Sequence, residues 1–255
     1  MWTTQQLPYL TGKTYLVTGA NTGVGYETAL ALYQAGAQVV LACRSLDKAH
    51  LAQLAMQQAG GPGTLEVAQL DLASLDQVQH FAAAFAARHP QLHGLINNAA
   101  AMVPPTASTT VEGYELQFGV NFLGHFALTG RLYPLLTATP GARVVTVSSM
   151  GYLDGQLDFA NLRLEKGYDG LREYRQSKLA DLLFALEFQR RLVATHGQVQ
   201  SLAAQPGANR TAWAADISPA YLAAAEVRWG GPPHGTLARR ADGALRRRRA
   251  GSARG

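Results

Sequence analysis

The chain has 255 residues, 47% of them apolar and 15% charged, with one cysteine and a formal net charge of +5. A chain of this length and apolar content can bury the core of one large α/β domain, and its lone cysteine, Cys43, excludes an intrachain disulfide. The start has no secretory apolar segment, and no apolar run reaches about eighteen residues, so we expect a cytoplasmic protein without a membrane span.

The positive charge is concentrated at the end of the chain. Residues 228–255 contain eight arginines and one aspartate, a net +7 against +5 for the whole chain, so residues 1–227 carry a net −2. Arginine, alanine and glycine cannot bury a core, and we expect a disordered basic tail at 228–255 after a domain at 1–227. The tail is either an arm that binds nucleic acid or an acidic membrane, or a remnant of a shifted reading frame. We favour the remnant, and expect no specific nucleic acid, because the arginines follow no interleaved pattern.

Apolar runs and helical periods alternate along the domain. The runs predict six buried strands, at residues 13–18, 38–43, 65–70, 92–97, 143–148 and 199–204. The periods predict five helices, at residues 23–35, 46–59, 74–88, 111–136 and 171–196, with Gly36 ending the first and Ser74 capping the third. This alternation predicts a doubly wound parallel sheet, a three-layer α/β/α or Rossmann-like fold with ligands at the carboxyl ends of the strands.

Three glycines, Gly19, Gly23 and Gly25, lie between the first strand and the first helix. Glycine permits a tight turn and the close approach of a ligand to the backbone, and the helix would aim its N–H groups and its positive end at that ligand. The pattern therefore indicates a site for a dinucleotide pyrophosphate. It differs from the commoner GxGxxG spacing, and alone it also fits a glycine-rich connection in another α/β protein.

The ends of the second and third strands suggest which nucleotide is bound. Cys43 closes an apolar run and is expected to be a buried, reduced thiol. Arg44 follows it where NAD-binding proteins place an acidic residue, and a guanidinium there favours the 2′-phosphate of NADP. Alternatively, Arg44 is a solvated loop residue and Asp47 reaches the ribose, although Asp47 is predicted to lie inside the next helix. Asp71 could accept a hydrogen bond from adenine or simply cap a helix.

Tyr174 and Lys178 open the last long helix, four residues apart and so on one face. A cation beside a phenol favours the phenolate, which makes proton exchange with a substrate easier at neutral pH. A serine hydroxyl from the end of the fifth strand could hold the substrate oxygen. Alone, such a tyrosine–lysine pair is as well explained as surface decoration.

Together these residues resemble the short-chain dehydrogenase/reductase family over about residues 12–211. The motifs occur in the family's order and approximate spacing: Thr18-Gly19-x-x-x-Gly23-x-Gly25, Asn97-Asn98-Ala99, Asn121, Ser149, Tyr174-x-x-x-Lys178 and Pro206-Gly207. The first motif, Cys43-Arg44 and residues 177–180 are similar to the branch that contains retinol dehydrogenases and WW-domain oxidoreductases.

The resemblance implies an oxidoreductase that transfers a hydride between NADP(H), with NAD(H) as the less favoured cofactor, and a small-molecule carbonyl or alcohol. It implies that Tyr174 is the acid/base, and that Lys178 favours its phenolate and binds the nicotinamide ribose. Ser149 would orient the carbonyl and Asn121 would hold a water of the proton relay. Ser149 is preferred to Ser148 because the family usually uses the second of two adjacent serines.

The resemblance also implies which residues surround the cofactor. Those beside the adenosine and pyrophosphate are Gly19, Asn21, Thr22, Gly23, Val24 and Gly25, with Arg44 at the 2′-phosphate. Asp71 and Leu72 would flank adenine, Asn98 and Ala99 would pass beside the ribose, and Pro206, Gly207 and Thr211 would cover the nicotinamide. His125 is interpreted as a structural core histidine.

The substrate side is less defined. Residues 150–171 and those from Ala212 onward would wall a pocket for a lipophilic substrate, with Tyr152, Leu153, Phe159, Trp213 and Tyr221, although ordinary packing explains these side chains equally well.

The chain departs from the family in two places. Ala100 replaces a glycine, and the chain after residue 227 has no signal for the family's last helix and edge strand. An uncovered sixth strand would favour self-association, so a homo-oligomer is among the expected states. Two other functions stay open: a redox-sensing NADP(H)-binding protein with little turnover because its substrate cover is incomplete, or a nucleic-acid-binding module that uses the tail.

Overall fold

The computed structural model describes residues 3–207, 209–210 and 234–235. Its main sheet has parallel strands in the order β3-β2-β1-β4-β5-β6. These strands are β1 (Thr14–Thr18), β2 (Gln38–Cys43), β3 (Thr64–Gln69), β4 (Gly94–Asn97), β5 (Arg143–Val147) and β6 (Gln200–Ala204). The chain runs outward from β1 to β3 and then returns to place β4 on the other side of β1. This reversal opens a crevice at the carboxyl ends of β1 and β4, and the predicted Rossmann-like sheet is confirmed.

Five α-helices connect the strands. They are α1 (Gly23–Gln34), α2 (Leu46–Ala59), α3 (Leu75–Arg88), α4 (Gly124–Thr137) and α5 (Gly170–Ala194). Side chains cap three of them: Ser45 accepts from the Lys48 N–H, Ser74 from the Gln77 N–H and Asp169 from two N–H groups of the first turn of α5. Gly36 follows α1 with φ +94°, the left-handed conformation that ends many helices.

The sheet separates two apolar cores. Successive strand residues point to opposite faces, so Leu16 packs into one core and its neighbour Val17 into the other. The Leu16 core contains buried residues of α3 and α4, such as Phe85 and Leu132, and the other core contains Met56 of α2. Both faces of the central strands are therefore dry, which explains why these strands are continuous apolar runs.

The predicted fourth helix is the main difference between the sequence and the structure. Residues 111–114 form a turn in which the Thr110 N–H donates to the Tyr114 carbonyl (2.8 Å), and Gly113 has φ +80°. A left-handed residue cannot continue a right-handed helix, so the helical stretch starts later than predicted. It passes through one π-helical segment, Phe118–Leu123, and then becomes α4.

Two expectations concern the end of the chain. The expected tail at 228–255 and the absence of a last edge strand lie almost wholly outside the described residues. The residues described after Gly207 form a parallel pair of two-residue strands, β7 (Asn209–Arg210) and β8 (His234–Gly235), of which only β8 lies in the expected tail. In the described part of the chain, no helix combines the length and apolar character that crossing a bilayer requires.

Candidate functional site

The glycine turn joins β1 to α1 at the crevice. Gly19 (φ +65°) and Gly23 (φ +58°) both adopt left-handed conformations that other residues avoid. A Cβ on Gly19 would lie 2.8 Å from the Ala99 Cα, and a Cβ on Gly25 would overlap the Asn98 side-chain amide. Gly19 and Gly25 therefore let the turn pack directly on the loop that follows β4.

The N-terminus of α1 is uncapped. Thr22 occupies the N-cap position but its side chain makes no capping hydrogen bond. Across the described residues, no acceptor is found for the N–H groups of Gly23, Val24 and Gly25. Three free N–H donors at the positive end of a helix suit an anion, so this turn fits the pyrophosphate of a dinucleotide.

Thr18 links the turn to the loop after β4. Its hydroxyl accepts hydrogen bonds from the N–H groups of Asn98 (2.9 Å) and Ala99 (3.0 Å), and the Asn98 side chain donates to the Thr18 carbonyl (2.8 Å). The Asn98 amide is thus occupied in holding the two loops together. Ala100 replaces the family's glycine without strain, because its φ is not positive.

The end of β2 combines a buried thiol and an exposed guanidinium. Cys43 is 3% exposed, and burial raises the pKa of its thiol to about 11, with the N–H groups of Ala20 and Asn21 lowering it less. This confirms the predicted buried, free cysteine. Arg44 is exposed, beside the crevice but outside the core, and Asp47 lies in the first turn of α2, as predicted. Arg44 is thus free to meet a phosphate.

Asp71 and Leu72 follow β3. The Asp71 carboxylate accepts from the Ala73 N–H (2.9 Å) and so closes a local turn, whereas Ser74 is the cap of α3. Leu72 is 5% exposed and belongs to the core of the α3 and α4 face. The Asp71 side chain is therefore partly engaged in local structure.

Asn121 lies in the π-helical segment and is 1% exposed. Its side-chain oxygen accepts from the Ala101 N–H (2.8 Å), and its amide nitrogen donates to the Ala101 carbonyl (3.0 Å) and to the Ser177 hydroxyl (2.9 Å). Asn121 thus clamps the loop after β4 to α5. Segments of π-helix occur often at functional sites, because the extra residue redirects side chains.

The two serines after β5 have different environments. Ser148 is 4% exposed, and its hydroxyl donates to the main-chain carbonyl of Lys178 (2.7 Å). Ser149 is half-buried, and its hydroxyl oxygen accepts from the Gly151 N–H (3.2 Å) at the start of a short 3-10 helix, Met150–Asp154. The Ser149 hydroxyl proton remains available to a substrate, whereas Ser148 ties β5 to α5.

Tyr174 and Lys178 project from the first turns of α5 toward the end of β5. A Cβ on Gly151 would lie 3.4 Å from the Tyr174 ring, so the tyrosine packs beside the Ser149 turn. The Lys178 ammonium donates to the Val147 carbonyl (3.0 Å) and to the Asp181 carboxylate (2.8 Å). No hydrogen bond from a described residue reaches the Tyr174 hydroxyl, which is therefore free for a ligand.

The sequence analysis placed His125 in the core without assigning it a contact in the site, and it did not single out Asp181. His125 is 2% exposed, and its ring bonds to the Asn121 carbonyl (2.7 Å) and to the Thr18 hydroxyl (2.8 Å), so it connects the π-helix to the glycine turn. Its position four residues after Asn121 was the available signal. Asp181 is the buried partner of Lys178, and its spacing of three residues on α5 was the signal there.

The remaining predicted residues lie at the edge of the site or beyond it. Pro206 and Gly207 follow β6 and are exposed, with Gly207 at φ +74°. Leu153 and Phe159, predicted to wall the pocket, are 51% and 75% exposed. Thr211, Ala212, Trp213 and Tyr221 lie outside the described residues.

Comparisons with known proteins agree with this geometry. The family model for short chain dehydrogenases matches residues 13–221. Retinol dehydrogenase 11 of Mus musculus is 46% identical over 187 residues, which cover 73% of this chain and 58% of that protein. The chain spans about three fifths of the length of the curated relatives it matches.

Two solved structures extend the comparison. An uncharacterized protein from Mycobacterium Paratuberculosis is 42% identical, with a TM-score of 0.73, over 81% of this chain and 72% of that one. A short chain dehydrogenase from Escherichia coli CFT073, solved with NADPH, is 26% identical, with a TM-score of 0.66, over 83% of each chain. The family model covers the glycine turn, the Asn121 clamp and the tyrosine–lysine pair together, and the chain belongs to the short-chain dehydrogenase family, within its retinol dehydrogenase branch.

Proposed function

We propose that this protein is an NADP(H)-dependent oxidoreductase that interconverts a carbonyl compound and an alcohol. The observation that carries the proposal is the convergence of Ser149, Tyr174 and Lys178 at the end of β5, on the same edge of the parallel sheet as the α1 N-terminus, which has free N–H groups. Ser149, Tyr174 and Lys178 can polarise a carbonyl, and the free N–H groups of the helix can bind the phosphates of a nucleotide.

The cofactor side of the proposal rests on α1 and Arg44. The N–H groups of Gly23, Val24 and Gly25 would hold the pyrophosphate, and the exposed Arg44 would pair with a 2′-phosphate. NADPH, when bound, supplies the hydride that the carbonyl carbon receives. The similar enzyme from Escherichia coli, solved with NADPH, supports this choice of cofactor.

The substrate side rests on the two free hydroxyls. Tyr174 would give its proton to the carbonyl oxygen as the carbon accepts the hydride, so that the product is a neutral alcohol. Ser149 would donate a hydrogen bond to the same oxygen, and the buried Lys178 cation would stabilise the phenolate that Tyr174 becomes.

Asn121 has a different role from the others in this proposal. Its side-chain groups are bonded to Ala101 and Ser177, which supports a clamp that holds the loop after β4 beside α5. The predicted relay water at Asn121 stays a prediction.

A lipophilic alcohol or aldehyde is the substrate class we propose. Leu153 and Phe159 expose apolar surface in the segment between β5 and α5, the segment that also contains Ser149. The name of the 46% identical relative, retinol dehydrogenase 11, points to a retinoid alcohol and its aldehyde.

The test is NADPH oxidation against a panel of aldehydes and ketones, with retinaldehyde beside short polar aldehydes. We expect turnover with a preference for the apolar members, and a loss of turnover of at least about 10²-fold in Tyr174→Phe with NADPH binding retained. Tyr133→Phe, on the side of α4 that packs against α5, is the matched control and should keep full activity.

The outcomes separate the proposal from its alternatives. Tight NADPH binding without turnover of any substrate would favour the redox-sensing alternative. Failure of well-folded protein to bind either NADPH or NADH would end the whole proposal. A salt-dependent shift of labelled DNA, lost when residues 228–255 are removed, would favour the nucleic-acid alternative.

A further inference from the structure

Lys178 is a buried cation whose only charged partner among the described residues is Asp181. The two side chains are 4% and 2% exposed, and their charged atoms lie 2.8 Å apart. They are three residues apart on α5 and so share one face of the helix. Lys178 lies one helical turn after Tyr174 on α5, close enough for the charge of Tyr174 to act on it.

The hydrogen bonds of the pair are incompletely matched. A lysine ammonium has three N–H donors, of which two are used, by the Val147 carbonyl and by Asp181 Oδ2. Asp181 Oδ1 is buried without a hydrogen-bond partner in the described residues. A buried polar atom left unpaired costs about 1–3 kcal/mol, and a buried ion pair is often no more stabilising than apolar residues of the same size. Stability therefore does not account for this carboxylate.

We propose that Asp181 is a positioning residue for the reaction, which pins the Lys178 ammonium against the Val147 carbonyl and keeps it charged, so that its third N–H faces the cofactor side. This inference rests on the proposed function. The inference goes beyond the proposed function because Asp181 is assigned no contact with substrate or cofactor and acts only through Lys178.

The charges around the pair support this assignment. Burial has the largest single effect on the pKa of Lys178 and lowers it, but the charge of Asp181, the charge of Tyr174 and the hydrogen bond to Asp181 together outweigh burial, and the pKa of Lys178 is raised. Burial raises the pKa of Asp181 to about 6, against the opposing effect of Lys178, so the carboxyl is mostly ionised at neutral pH. The other titratable groups near Lys178 are Tyr174 on α5 and His125 on α4. β5 contributes the Val147 carbonyl, and Ser148, which follows β5, donates its hydroxyl to the main-chain carbonyl of Lys178. Asp181 is therefore the acid that can set the charge of Lys178.

A titration of the lysine side chains tests the proposal without substrate or cofactor. The chain has four lysines, Lys13, Lys48, Lys166 and Lys178, so selective ¹³C labelling of lysine gives four Cε signals. The signal that is absent from Lys178→Arg is the signal of Lys178. We expect Asp181→Asn, which keeps an acceptor but removes the charge, to lower the pKa of Lys178 by about one unit or more. Glu187→Gln is the matched control, because Glu187 is an acid on the same helix that pairs with Arg190 and Arg191 at the surface.

Activity provides the second readout. We expect the basic limb of the kcat–pH profile of Asp181→Asn to move about one unit or more toward neutral pH, with an unchanged KM for the carbonyl substrate. Equal Lys178 pKa values in Asp181→Asn and wild type, or a variant that only melts earlier while its pH profile keeps its shape, would overturn the proposal.

The wild type keeps the proposal testable if the variant does not fold. The Lys178 signal of the wild type should then show an inflection near pH 6, from protonation of Asp181, that the other three lysines lack. A flat Lys178 signal between pH 5 and 7 would contradict it. Absence of turnover in the wild type would instead count against the proposed function, because the lysine titration does not depend on catalysis.

Discussion

The imidazole of His125 lies 2.8 Å from the hydroxyl of Thr18, between the helix that carries Asn121 and the strand that leads into the glycine turn. The other ring nitrogen, Nδ1, donates to the Asn121 carbonyl at 2.7 Å, because a carbonyl can only accept. Nε2 is therefore the acceptor, and the Thr18 hydroxyl donates to it while accepting from Asn98 and Ala99. A neutral histidine thus joins the strand that leads into the glycine turn to the segment that carries Asn121.

Acid should destabilise the protein through His125. Burial lowers the pKa of His125 from 6.5 to about 4, with a smaller contribution in the same direction from Lys178 and an opposing one from the Asn121 carbonyl. Between these pH values the unfolded chain binds more protons, so the free energy of unfolding falls by about 3 kcal/mol as the pH is lowered from 6.5 to 4. Above pH 6.5 this contribution is fully present.

Urea unfolding of wild type and His125→Gln at several pH values measures this contribution. The variant should lose stability at neutral pH but show a flatter dependence between pH 6.5 and 4. His80→Gln, at an exposed histidine of α3, should retain the slope of the wild type. Identical slopes in wild type and His125→Gln would contradict the assignment of a buried neutral imidazole.

Replacing glycine by alanine should have opposite effects on stability at Gly25 and at Gly130, because only Gly25 is closely packed. In Gly25→Ala the new methyl would overlap the Asn98 amide and the Gly19 carbonyl, so we expect a loss of roughly 1–3 kcal/mol in the free energy of unfolding. The N–H groups of α1 would move with the turn, and NADPH affinity should fall about tenfold or more.

Gly130→Ala is the control for that substitution. Gly130 lies within α4 and nothing lies within 4 Å of the position of its Cβ, so alanine should stabilise the helix by about 0.5–1 kcal/mol. Thermal unfolding and fluorescence titration with NADPH measure both variants. The prediction would be wrong if Gly25→Ala were as stable as wild type and bound NADPH equally well.

Arg44 should decide between the two nicotinamide cofactors. A hydrogen bond to a charged group contributes about 1.5–3 kcal/mol, so Arg44→Ala should weaken NADPH binding about tenfold or more and leave NADH binding unchanged. Calorimetric titration of both cofactors measures the difference, with Arg131→Ala, at an exposed arginine of α4, as the control. If Asp47 contacted the ribose instead, Asp47→Ala would weaken NADH binding while Arg44→Ala changed neither affinity.

Cys43 should be inert in the folded protein. With burial raising its pKa to about 11, only about one thiol in a thousand is ionised at pH 8, and the thiolate is the form that alkylates. Iodoacetamide should therefore label native protein at least about 10²-fold more slowly than protein unfolded in urea, as followed by mass spectrometry. A native rate within a few fold of the unfolded rate would show that the end of β2 is open to solvent.

The sequence determined much of the fold because its strongest signals are local. The bounds of β2 and α2 agree with the prediction residue for residue, and Ser74 caps α3 as predicted. Each depends on short-range features, a continuous apolar run or a side chain that bonds three residues ahead. The start of the fourth helix was wrong because a left-handed glycine, Gly113, competes with helical periodicity in the same stretch.

Tertiary structure alone decided how the proposed catalytic residues are supported. Motifs and spacing identified Tyr174 and Lys178, but the Val147 carbonyl and the Asp181 carboxylate that hold the lysine became visible only when β5 was placed against α5. In the same way, His125 was an ordinary core histidine in the sequence until β1 brought Thr18 to its ring. Local propensity depends on neighbours along the chain, whereas the charge and direction of a buried polar group depend on residues brought together by folding from distant positions.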